Sequence, residues 1–106
     1  MRIAEGLNEP VRIQGIRPEL LLGLIICDAI FMEYGHEVEI TSVIDGKHSR
    51  GSLHYAGAAA DIRSRDIPEN QREPIKIKCK AALGPDFDLV LEGSHYHLEF
   101  DPKNRY

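Results

Sequence analysis

The chain has 106 residues, 42% of them hydrophobic and 28% charged, with a net charge of −4, which fits one soluble globular domain with one core. A sequence pI of about 5.7 excludes a globally basic face, so neither nucleic acid nor an anionic membrane surface is expected as a partner. The basic residues Arg50, Arg63, Arg65, Arg72, Lys76, Lys78 and Lys80 are interrupted by acids and read as solvated surface.

Residues 1–16 form an arm of alternating character (MRIA, VRIQ) broken by Pro10, suited to an edge strand or to a path across the surface. The arm lacks a charged stretch followed by an apolar run, so no secretory signal is expected and synthesis is assigned to the cytoplasm. Pro18 in a first turn and Glu19 at its positive end open a helix that runs to about residue 34 and stops at Gly35. Its apolar run LLLGLIICDAIFM (20–32) is interrupted by Asp28 and falls short of the roughly 20 apolar residues a membrane span needs. Apolar residues cover nearly all sides of this helix, which predicts the central buried helix.

VEITSV (38–43) alternates apolar and polar residues and reads as a strand. A polar loop, DGKHSRGS, follows, and AAADIR (58–63) reads as a short strand of small residues. Asp66 is placed to cap a second helix over 67–82, with Pro68 just inside and Pro74 expected to kink or restart it. Gly84-Pro85 ends that helix. DLVLE (88–92) and HYHLEF (95–100) are two strands joined by the tight turn Gly93-Ser94, a hairpin pattern. The tail DPKNRY (101–106) reads as surface. The expected fold is a small α+β domain, an arm (1–16), a core (17–100) and a tail, with two helices on one face of a mostly antiparallel sheet. Cys27 and Cys79 lie in apolar segments without a C-x-x-C, and read as buried free thiols.

Chemistry concentrates in SLHYAGAAADI and EGSHYHLEF, which hold or adjoin four of the five histidines. Side chains at i and i+2 of a strand share a face, so His95 and His97 project together. Asp61 reaches that face if AAADIR is a neighbouring strand, and His54 can swing in from the preceding loop. A catalytic zinc takes three such N and O ligands and leaves a position open. His54, Asp61 and one histidine of the H-x-H pair meet that need, with Glu92 beside them as a base. Two nitrogens and one carboxylate suit zinc better than calcium or magnesium. The same residues have plainer readings: His54 with Asp61 as a pair that orders a loop, Glu92 as a solvated carboxylate, or a metal-free α+β protein.

The pattern S-x-H-x-x-G-x-A-x-D followed by a strand with H-x-H resembles the zinc peptidases of the D-alanyl-D-alanine carboxypeptidase group. These include phage endolysins and murein endopeptidases, and share the fold of the hedgehog signalling domain. The wording SLHY, Gly57, Ala59-x-Asp61-Ile62 and the placement of His48 are nearest to hedgehog. The resemblance is specific over 40–64 and 88–99 and follows element order over 18–100.

It implies Zn²⁺ held by His54, Asp61 and His97, Glu92 as catalytic base, and His95 supporting the tetrahedral intermediate or orienting the substrate. Members with an H-x-H mostly use its second histidine, although a base three residues before the ligand would instead pair Glu92 with His95. Many of the peptidases carry an Arg soon after the TS of the first strand. Val43 and Ile44 stand there in this chain, leaving Arg50 or His48 on the following loop for the oxyanion role. Ser42 replaces an acid of the hedgehog calcium cluster, so calcium is not expected. The activity implied is hydrolysis of peptidoglycan peptides, as a D,D-carboxypeptidase or L,D-endopeptidase, by a monomer made in the cytoplasm of a bacterium or phage host and acting at the cell wall. The alternative implied by the same resemblance is a hedgehog-like zinc domain that binds a partner without cleaving it.

Overall fold

A computed structural model describes residues 1–4, 15–44 and 58–102 of the chain. Strand β1 (Arg2–Ile3) is followed by helix α1 (Pro18–Glu33), strands β2 (Glu39–Ile44) and β3 (Ala59–Arg63), helix α2 (Glu69–Leu83), and strands β4 (Phe87–Glu92) and β5 (His95–Phe100). The five strands form one sheet in the order β1-β2-β3-β5-β4. β1 runs parallel to β2 and every other pair is antiparallel. The architecture is α+β, two helices packed on one face of a mostly antiparallel sheet.

α1 begins at Pro18, where a missing N–H costs nothing, and ends before Gly35, whose φ of +83° suits a residue without a Cβ. Asp28, the one acid inside its apolar run, accepts a hydrogen bond from the Val38 N–H at 2.9 Å and so ties the entry of β2 to the helix. The expectation of a helix buried on all sides is wrong. Leu20, Leu24, Cys27, Ile30 and Phe31 are buried, whereas Leu21, Leu22, Ile25 and Met32 are exposed. A two-layer domain offers a helix one side to bury, and an apolar sequence on the other side does not change that.

α2 also departs from expectation at its start. Asp66 does not cap it; the helix begins at Glu69 after Pro68, with no side-chain cap. Residues 64–67 instead make a turn in which the Ile67 N–H bonds the Ser64 carbonyl at 2.9 Å, burying Ile67. Arg72 serves this turn, its Nε donating to the Ile67 carbonyl at 2.8 Å. Arg72 is thus half-buried structure rather than solvated surface, and so is Arg63, whose Nε lies 3.1 Å from Glu39 Oε2. The helix runs through Pro74 as a single element.

The core lies between the helices and one sheet face, with Ile62, Leu89, Tyr96 and Leu98 on the sheet side. Tyr96 is fully buried, edge-on to Phe31 at a centroid distance of 5.6 Å, and its hydroxyl donates to the Arg72 carbonyl at 2.7 Å. Cys27 and Cys79 are buried free thiols, and hydrogen bonding between them together with burial pushes the Cys27 thiol well above its ordinary value. Gly93, with φ of +53°, takes the first central position of the β4–β5 turn, the pattern of a type II′ hairpin. Asp101 is buried at the end of β5 rather than on the surface, its N–H bonded to the Asp86 carbonyl at 2.7 Å. Among the described residues, no helix is long and apolar enough to cross a membrane.

Candidate metal centre

The sheet face away from the helices carries the polar cluster, and strand register assembles it. On β3 and β5 the pleat sends Ala60, Ile62, Tyr96 and Leu98 to the core. It therefore sends Asp61, Arg63, His95, His97 and Glu99 to the opposite face. Asp61 stands directly across from His97, and Arg63 from His95. On the other side of β5 the hairpin sets Glu92 across from His95. Small side chains at Ala59 and Ala60, both fully buried, let β3 lie in the middle of the sheet.

A β-bulge completes the arrangement. β2 pairs Ile40 with Ile62 but then Ser42 with Asp61, so Thr41 is an extra residue. Strict alternation would put Ile40 and Ser42 on one face; the bulge leaves Ile40 in the core and turns Ser42 to the cluster. Ser42 Oγ then donates to Asp61 Oδ2 at 2.9 Å.

The resulting distances are short. His97 Nδ1 is 2.9 Å from Asp61 Oδ1, and His97 Nε2 is 3.1 Å from Glu99 Oε1. His95 Nε2 lies 3.6 Å from Asp61 Oδ1 and 3.4 Å from Glu92 Oε1. Exposure rises across the group: Glu99 and His97 side chains are 5% and 9% exposed, His95 and Glu92 34% and 45%. Burial by itself would lower the His97 pKa, but hydrogen bonds to Asp61 and Glu99 outweigh it, and the imidazole is held above its ordinary value.

The donor set suits a cation. Two ligands of a tetrahedral zinc, each about 2.0–2.1 Å from the metal, stand about 3.3 Å apart; Asp61 Oδ1 and His97 Nδ1 are separated by 2.9 Å and face each other. A carboxylate on the far nitrogen of the imidazole, as Glu99 provides, is the usual outer partner of a metal-ligating histidine. Among the described residues no three His, Cys, Asp or Glu side chains enclose a metal by themselves. The third expected ligand, His54, lies outside the described residues, as do His48 and Arg50, the candidates for the oxyanion role.

Four of the expected site residues, Asp61, Glu92, His95 and His97, therefore come together. Of the two histidines, His97 is nearer to Asp61 and more buried, whereas His95 sits beside Glu92. Ser42 and Glu99 belong to the cluster without having been expected there. Glu99 carried a signal, being two residues from His97 on the same strand; Ser42 carried none, because its orientation depends on the bulge. Arg63, across from His95, also walls a pocket of about 130 Å³ together with Arg2, His36, Glu37, Glu39, Asp66 and Ile67. No family model matches the chain, and no curated protein matches it.

Proposed function

We propose that the chain is a zinc-dependent peptidase of the D-alanyl-D-alanine carboxypeptidase and murein endopeptidase type, acting on peptidoglycan peptides. The observation that carries this reading is the opposition of Asp61 Oδ1 and His97 Nδ1 at 2.9 Å, with His95 and Glu92 beside them. Asp61, His97 and His54 are the ligands in this reading. A zinc ion held by them would supply a Lewis acid for the scissile carbonyl and would bring the pKa of water to about 7.

The rest falls to the protein's own side chains. Glu92, on the exposed rim of the cluster, accepts the proton of the attacking water and returns it to the leaving amine. His95, which faces both Asp61 and Glu92, donates a hydrogen bond to the carbonyl oxygen as charge develops there, with Arg50 or His48 assisting. Ser42 fixes the Asp61 carboxylate through Oδ2 and leaves Oδ1 free to turn toward His97.

The test is incubation of the zinc-loaded protein with purified muropeptides, the products read by mass spectrometry. Wild type is expected to release D-Ala or to cut within the stem peptide. Glu92→Gln is expected to keep zinc and lose activity by about 10²–10⁴-fold. Zinc bound in both proteins, with cleavage in neither, would replace the peptidase by a zinc-containing binding domain.

A further inference from the structure

His97 has a carboxylate at each ring nitrogen, Asp61 at Nδ1 and Glu99 at Nε2. Glu99 is the more deeply buried of the two carboxylates, its side chain 5% exposed against 24% for Asp61. It lies across from Ala59 on β3 and Asp88 on β4, in the middle of the face that bears the cluster. A buried carboxylate is costly unless it accepts strong hydrogen bonds, and the His97 ring N–H is one such donor.

A neutral imidazole has one N–H and one lone pair, and a carboxylate only accepts. Without a metal, the 2.9 Å contact is a hydrogen bond in which Nδ1–H donates to Asp61 Oδ1. A divalent cation would take the place of that proton, leaving the Nδ1 lone pair for the metal and the one remaining N–H on Nε2, donated to Glu99. We infer that Glu99 is a positioning residue: it holds His97 as the Nε2–H tautomer, so that Nδ1 and Asp61 together present two electron pairs to a divalent cation. The inference rests on the zinc-centre reading and adds a residue to it. In this inference Glu99 acts through the ring it orients. The 3.1 Å contact also restricts rotation of the ring, which keeps Nδ1 aimed across the strands at Asp61.

Gln at this position can accept the same hydrogen bond through its side-chain oxygen, whereas Ala cannot. The test is the zinc dissociation constant of wild type, Glu99→Gln and Glu99→Ala, measured by competition with a chromophoric chelator, with a thermal melt of each metal-free protein. Glu99→Ala is expected to bind zinc about 10- to 100-fold more weakly than wild type. Glu99→Gln is expected to restore most of that loss, and both variants to melt cooperatively. A Glu99→Ala protein with the wild-type dissociation constant overturns the inference. So does a Glu99→Gln protein as weak as Glu99→Ala, because the carboxylate would then act by its charge alone. Should Glu99→Ala fail to fold, the comparison of Glu99→Gln with Glu99→Lys, which places a donor where an acceptor is needed, decides in the same way. Failure of wild type to bind zinc at all is a different result, and removes the metal reading beneath the inference.

Discussion

His97 sits between two carboxylates because the strand pleat acts alike on neighbouring strands: every second side chain of β3 and of β5 leaves the core on the same side. The sequence makes that much legible, since the shared face of His95 and His97 follows from their spacing, and Asp61 joins it once AAADIR is read as an adjacent strand. The register that sets Asp61 opposite His97 is not legible. It comes from the packing of Ile62 and Tyr96, directly opposed on the core side. Ser42 was unreadable for a sharper reason, because one extra residue at Thr41 reverses its face. Tyr96 lends itself to a test at this scale. Its hydroxyl is buried and donates to the Arg72 carbonyl at 2.7 Å. Tyr96→Phe is expected to cost about 1 kcal/mol, a fall in Tm of about 4–8 °C for a domain of this size. Calorimetry of the two proteins checks this, and an unchanged Tm would contradict it.

Periodicity and breakers make the elements legible. Pro18, Gly35, Gly84 and the Gly93-Ser94 turn mark boundaries that the fold keeps to within a residue or two. What periodicity could not give was how much of α1 would be covered. An all-apolar helix looks the same in sequence whether one side or every side is packed, and here Leu22 and Ile25 remain about half exposed while Leu24 between them is fully buried. Leu24→Ala is therefore expected to destabilise by about 2–5 kcal/mol, and Leu22→Gln by less than about 0.5 kcal/mol, both measured by urea unfolding. Equal costs at the two positions would mean that the outer side of α1 is packed in solution. Pro74 is expected to kink or restart α2; the helix does not restart there but continues through it. Pro74 is exposed and Asn70, whose carbonyl loses its N–H partner four residues on, is exposed too, so water can take that bond. Pro74→Ala restores the hydrogen bond and is expected to raise stability by about 1 kcal/mol or more, read from the same unfolding curves.

At the scale of the whole molecule, two helices shield one face of the sheet, and the other face is left to carry ionisable groups. That division explains why a chain of ordinary composition gathers Asp61, Glu92, His95, His97 and Glu99 in one place: residues barred from the core side by their charge share the only other side available. The α+β class and the two-layer plan were legible from the order of helical and strand patterns. Closure of the site by His54, which lies outside the described residues, rests on the spacing in SLHYAGAAADI alone, and the metal reading depends on it. The most direct measurement is the zinc content of the purified protein and its variants by mass spectrometry of the metal. About one zinc per chain is expected in wild type, retained in Glu92→Gln, lost in His54→Ala, Asp61→Ala and His97→Ala, and removed by EDTA with a fall in Tm. Wild-type protein that holds no zinc above background after incubation with the metal would contradict the account.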